Sequence, residues 1–221
     1  DFVDMVGDQC DRQAGTLGPR DLEVIRDDNL IAIMQALKLN DWGAGKTLAA
    51  YEKQLFDQGA APEEGDLSQP IQTTARRVPP DWTDYNNHMN EARYLQCFAD
   101  ATDAFMRIIG ADADYIAGGL SYFTVETHIR HLDEVAALEP IHTTTQVLGG
   151  AGKKMHLFHR LHHEDGRLLA TGEHMLLHVS LESRATCLPG AAVAAKLDEI
   201  ARLHSALPQP DGAGRAIGQK G

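Results

Sequence analysis

Residues 81–95, DWTDYNNHMNEARYL, crowd an acid, a histidine, several amides and hydroxyls and an aromatic pair into the entrance of one helix. A helix start needs one capping side chain, and Asp84 or Asn90 could each accept amide hydrogens of the first turn. A cap alone leaves Trp82, Tyr85, Asn86, Asn87 and His88 unexplained. Amides at a helix N-terminus point outward with partial positive charge, which suits an oxyanion developing there. A carboxylate at Asp84, on the loop leading in, could attack a carbonyl held at that spot or deprotonate a water beside it.

Other groupings carry less chemistry. WGAGKT at 42–47 imitates the end of a phosphate-binding loop, but position 40 holds Asn40 where the motif requires glycine. It also follows a helical pattern where a strand is required, so it reads as a helix–helix turn. Nine of the eleven histidines fall between His128 and His178. On strands, His156 and His159 point to opposite faces, as do His128 and His131. His174 and His178 share a face but stand more than one strand step apart, and no cysteine joins them at ligand spacing. A structural or surface role follows, with no metal. SYFTVETHIR alternates, with Phe123, Val125 and Ile129 on one face and Tyr122, Thr124, Glu126, His128 and Arg130 on the other. That is a half-buried strand whose polar side meets solvent, a subunit interface or a cleft.

The net charge of -12 and pI near 5.3 exclude a nucleic-acid binder, which needs a basic surface against phosphate. No apolar run approaches the roughly 20 residues that span a bilayer, which argues against a membrane role. Cys10, Cys97 and Cys187 are an odd number without metal spacing, which suits free thiols in a reducing cytoplasm. The start at Asp1 rather than Met suggests a piece of a longer protein.

The elements that must position the 81–95 stretch can be read from periodicity. Residues 1–60 are helical, with Leu22, Ile25, Leu30, Ile33 and Leu37 near one stripe and a second short helix ending near Gly59. A polar linker over 61–70 follows, and the main domain runs over 71–187. IQTTARRV is a strand stopped by Pro79-Pro80. A long amphipathic helix then places Met89, Leu95, Phe98, Thr102, Phe105 and Ile109 on or near its inner face. Four strand-like runs follow, the last three separated by the hairpin turns GGAGK and EDGR. A helix and a flexible Gly-rich tail occupy 188–221. One strand, one long helix and a meander of antiparallel strands make an α+β domain of the hotdog kind, a sheet wrapped around a helix.

DYNNHMNEARYL resembles the signature of the hotdog thioesterases of the 4-hydroxybenzoyl-CoA type, an Asp followed by a Gly-His-Val-Asn-Asn turn before the long helix. The resemblance makes Asp84 the catalytic carboxylate, assigns His88 and Asn90 to the turn and makes Tyr94 the helix aromatic. Asn87 stands in the glycine slot and Glu91 in that of the second Asn. Asn tolerates a left-handed backbone better than most residues, so the turn can survive the exchange. RDLEVIRDDNLIAIMQALK with WGAGKTL is similar to the C-terminal helical end of the L-carnitine dehydrogenases, relatives of the 3-hydroxyacyl-CoA dehydrogenases. In some bacteria these are fused to a hotdog domain associated with hydrolysis of betainyl-CoA. The resemblance implies an acyl-CoA thioesterase acting on betainyl-CoA in carnitine degradation, with no cofactor beyond the coenzyme A of the substrate. One alternative is a non-catalytic acyl-CoA-binding or dimerisation module of the dehydrogenase, which an intact Asp84 disfavours. The other is a hotdog enoyl-CoA hydratase, disfavoured because no Pro stands between Asp84 and His88. It also implies an upstream NAD-dependent dehydrogenase on the same chain.

Asp84, His88, Asn90 and Glu91 are then the catalytic set, and Trp82, Tyr85, Asn87, Tyr94, Tyr122, Phe123 and Glu126 the substrate-binding set. A quaternary ammonium favours aromatic faces and nearby acid. Trp82 is the first candidate to meet it, then Tyr85, Tyr122 and Phe123, with Glu126 as counter-charge. A hotdog sheet leaves edges uncovered, so a homodimer or higher homo-oligomer is expected.

Overall fold

The computed structural model describes residues 66–217, so the helical segment expected over 1–60 and the first half of the linker, 61–65, lie outside the described residues. Five strands form: β1 (Ile71–Arg77), β2 (Leu120–His131), β3 (Pro140–Gly149), β4 (Lys154–His163) and β5 (Leu168–Ser180). They pair antiparallel throughout in the order β1-β3-β4-β5-β2, which leaves β1 and β2 as the two edges. Tight turns at 150–153 and 164–167 join β3 to β4 and β4 to β5. Gly152 and Gly166 supply the positive φ, 63° and 92°, that these turns require. Among the described residues no helix is long and apolar enough to cross a membrane.

The long helix α1 (Glu91–Ile108) lies across β1, β3 and β4, with lighter contact to β5. Phe98 and Phe105 are fully buried beneath it. Burying a side chain of this size is worth about 1.5–3 kcal/mol. Gly172 of β5 lets the helix approach, because a Cβ there would stand 2.6 Å from the Phe98 ring. Met89, Phe98, Thr102, Phe105 and Ile109 are buried as expected, but Leu95 is exposed. Tyr94, Cys97 and Ala101 take the inward places instead, at three- to four-residue spacing.

The core divides along α1. Phe105, Met106 and Ile109 pack with Tyr122, Leu157 and Leu176, and with Val193, Leu197 and Ile200 of α3 (Ala191–His204). Trp82, Met89, Tyr94 and Phe98 form a second cluster at the N-terminal end of α1 with Val78, Val135 and Leu161. A five-residue helix α2 (Ala113–Ala117) joins α1 to β2. The stretch after α3, expected as a flexible tail, lies against the sheet as far as Gly214. Pro208 O accepts from Gln146 Nε2, Asp211 pairs with Arg130 and the Gly214 amide donates to Glu173.

The alternation expected for β2 fails at its start. Tyr122 points into the core, while Phe123 and Val125 are 44% and 55% exposed. Val125 is an extra residue, a bulge between Thr124 and Glu126 in the pairing with β5. One inserted residue reverses the parity of a strand. Past the bulge Ile129 therefore does pack against the core, as the alternation predicts.

The histidines sort as strand geometry predicts. His159 is buried and His156 is partly exposed on the other face, paired with Glu173 at 2.7 Å. His159 is held in a run of hydroxyls, with Thr145 Oγ1 2.9 Å from Nδ1 and Thr102 Oγ1 3.1 Å from Nε2. Thr102 donates to the Phe98 carbonyl, so it accepts from Nε2–H and fixes the neutral tautomer. Beside it His174 lies edge-on at 4.9 Å, buried, with neither ring nitrogen hydrogen-bonded to a described residue.

Candidate active site

The chain leaves β1 at Arg77, makes a 3-10 turn at Pro80–Trp82 and enters a short loop before α1. The loop closes on itself through a Thr83–Met89 bridge and the Asn90 amide donating to Trp82 O at 2.8 Å. At its tip the Asp84 amide donates to His88 O, and Asp84 O accepts from the Asn87 amide, both at 3.0 Å. Asn87 has φ 62°, the left-handed conformation that glycine or asparagine adopts at least cost. The Asp84 carboxylate completes the turn, with Oδ1 accepting the Asn86 amide at 2.8 Å. Oδ2 accepts no hydrogen bond from the described residues.

Asn90 caps α1, its Oδ1 accepting the Ala92 amide at 3.0 Å and its carbonyl the Arg93 amide. Capping therefore falls to Asn90, and Asp84 is left to order the loop. Glu91 is exposed in the first helical turn, where the helix dipole favours a carboxylate. His88 Nδ1 stands 3.1 Å from Glu134 Oε2. Glu134 belongs to the β2–β3 connection, which meets the loop through the Met89 amide donating to Val135 O and a bridge from His88 to Ala136. Tyr94 donates to Asp133 O at 3.3 Å and meets the His131 ring edge-on at 4.8 Å. Burial pushes its phenol up to about 12, so it stays protonated.

Trp82 is not an open aromatic face. Its ring is buried, with the guanidinium carbons of Arg76 and Arg93 at 5.2 Å and 5.4 Å from the centroid. Two cations already hold the indole, so a third positive group meets like charge there. Tyr85, by contrast, is 92% exposed at the loop tip. Tyr122 is in the core at the other end of α1, packed with Phe105 and Ile109 and edge-on to His178 at 4.8 Å. Its hydroxyl has no hydrogen-bond partner among the described residues, and burial raises its pKa to about 12. Phe123 and Glu126 are exposed on the β2 edge. The structure thus gathers Trp82, Asp84, Tyr85, Asn87, His88, Asn90, Glu91 and Tyr94 around the α1 N-terminus and separates Tyr122 from them. Glu134, Arg76, Arg93 and Asp100 were missed. Their signal is spatial, since His88 and Glu134 lie 46 positions apart in the chain.

An antiparallel five-stranded sheet with a long helix laid across it is the hotdog architecture, here with a carboxylate-bearing loop at that helix's N-terminus. Residues 78–198 match the Thioesterase-like superfamily, and the chain belongs to that superfamily. It is 53% identical over 219 residues to the L-carnitine dehydrogenase/betainyl-CoA thioesterase of Ruegeria pomeroyi, covering 98% of this chain and 45% of that protein. It therefore spans about half the length of such two-function relatives. It is 42% identical over 154 residues to the betainyl-CoA thioesterase of Pseudomonas aeruginosa, covering 69% of this chain and 97% of that protein. A candidate thioesterase from Pseudomonas putida KT2440 superposes with a TM-score of 0.61 at 35% identity, covering 69% of this chain and 99% of the other.

Proposed function

We propose that this chain hydrolyses acyl-CoA thioesters, with betainyl-CoA as its substrate, through the carboxylate of Asp84. The observation that carries the reading is the state of that carboxylate. One oxygen is held by the Asn86 amide, and the other accepts nothing from the described residues beside the positive end of an 18-residue helix. Oδ2 either attacks the thioester carbonyl, giving an anhydride that water opens, or takes a proton from the water that attacks. Both routes consume one water and release a carboxylate, the thiol of coenzyme A and one proton. Asn90 occupies the Ala92 and Arg93 amides, which leaves the Glu91 amide as the first-turn donor for the developing oxyanion. Coenzyme A enters as part of the substrate, and no other cofactor is required.

Glu91 is exposed in the first turn of α1 and Glu134 stands 3.1 Å from His88 of the same loop, an acidic surround that suits a trimethylammonium acyl group. Tyr85 offers the open ring, a better site for the cation than Trp82. The names of the Ruegeria and Pseudomonas relatives support the same substrate, and the Ruegeria name supports an L-carnitine dehydrogenase acting on the same chain. We also propose a homodimer. β2 is a 12-residue edge strand with exposed Phe123 and Val125, and pairing it with a second copy satisfies its free backbone groups and covers both side chains. Phe123 and Glu126 would then face the neighbouring copy rather than their own loop.

Thiol release from betainyl-CoA and from a neutral branched acyl-CoA tests the reading. One aromatic contact, from Tyr85, at about 0.5–2 kcal/mol supports a kcat/KM preference of about two- to thirtyfold for the cation. Equal values would remove betainyl-CoA as the substrate, and no thiol release from any acyl-CoA would remove hydrolysis altogether.

A further inference from the structure

The Asp84 loop is held at its two ends and open at its tip. Its backbone rungs are short, and Tyr85, Asn86 and Asn87 at its tip are exposed. Trp82 anchors its start in the core, packed with Val78, Met89, Tyr94 and Phe98, and Met89 anchors its end. The ring is in turn held by Arg76 from the end of β1 and Arg93 from the first turn of α1.

Arg76 has a second partner. Its Nη2 stands 2.6 Å from Asp100 Oδ2 in the third turn of α1, with both side chains buried at 4% and 5% exposure. Gln96 Nε2 donates to the other Asp100 oxygen at 2.9 Å. A buried ion pair is a poor device for stability, because desolvating two charges offsets most of their attraction and apolar replacements often do as well. What it does well is fix direction. The planar guanidinium can meet a carboxylate at its edge and an indole with its face at once, which an ammonium cannot. The end of β1, the third turn of α1 and the start of the Asp84 loop are thereby referred to one another through a single side chain.

We propose that Arg76, locked by Asp100, is a positioning residue that holds Trp82 and through it the register of the Asp84 loop. The assignment rests on the reading of Asp84 as the catalytic carboxylate. It gives the indole a mechanical part, apart from any contact with the acyl group. One residue, Thr83, separates Trp82 from Asp84, and the Asn90 amide on Trp82 O fixes the other end of the loop. Loss of the stack therefore displaces the carboxylate relative to the α1 N-terminus without touching the substrate.

Arg76→Lys tests this, since it keeps a charge for Asp100 and removes the planar stack. Trp82→Phe, which keeps a smaller ring, serves if Arg76→Lys does not fold. Two readouts are taken on the full chain: hydrogen–deuterium exchange of the peptide covering 83–90, and kcat and KM for thiol release, each with and without Asp84→Asn. The expected result for Arg76→Lys is about tenfold faster exchange in that peptide and about tenfold lower kcat, with KM within twofold. In the Asp84→Asn background the same substitution should cost no further kcat, because residues acting through one group are not additive. Unchanged exchange overturns the proposal, as does an equal kcat loss in both backgrounds. If wild type releases no thiol from any acyl-CoA, the activity assignment fails by itself, and the exchange result alone decides whether the brace exists.

Discussion

Acid should destabilise this fold through His174, and replacing that one residue should make the difference visible. The ring is 2% exposed on β5, between Phe98 and His159, and neither nitrogen has a hydrogen-bond partner among the described residues. Burial lowers its pKa from 6.5 to about 4. The folded state thus keeps the ring neutral while the unfolded chain takes up a proton below 6.5. The stabilisation is complete above that value, declines as pH falls and is gone below about 4. A gap of roughly 2.5 units at 1.36 kcal/mol each corresponds to roughly 3 kcal/mol over this window. His159 lies beside it, also held well below its ordinary value by burial and by His174, so the wild-type slope contains more than one contribution. The comparison with His174→Leu isolates the difference. Leu removes two buried polar atoms without partners, so at pH 7 the variant should match wild type within about 1 kcal/mol or exceed it. Between pH 6.5 and 4 it should lose roughly 3 kcal/mol less than wild type in urea unfolding. Parallel stability curves for the two proteins would refute the reasoning, because His174 would then titrate alike folded and unfolded.

Asp84→Asn should lower kcat for acyl-CoA hydrolysis by about two to four orders of magnitude with an unchanged melting temperature, and near wild-type turnover would remove the carboxylate from the mechanism. Val125→Lys places a charge on the exposed bulge of the β2 edge and should shift light-scattering mass from dimer to monomer; a dimer of unchanged stability would place the interface elsewhere. Gly172→Ala puts a methyl 2.6 Å from the Phe98 ring and should cost about 1–3 kcal/mol in unfolding free energy, measured by denaturant titration.

What could be read from the chain alone lies within a few residues of itself. Pro79-Pro80 ended β1, the glycine-bearing turns set two hairpins, and the spacing of Phe98, Thr102, Phe105 and Ile109 marked the buried stripe of α1. The Asp84 loop was legible for the same reason. Its hydrogen bonds run from Asp84 to Asn86, Asn87 and His88, and the left-handed residue it needs is Asn87, a type that accepts that conformation. Local torsional preference and short-range bonding are properties of the sequence itself.

Three features were decided only by tertiary structure. The parity of β2 depends on a bulge at Val125, which exists only in the pairing with β5, and it sends Tyr122 inward where the alternation put Phe123. Trp82 looked like a free ring because the guanidiniums that hold it come from β1 and α1, and one of them is fixed by an acid 24 positions further along the chain. Glu134 reaches His88 only once the β2–β3 connection has folded against the loop. In each case the outcome depends on which distant groups occupy the same few ångströms, and packing settles that after the local elements have formed.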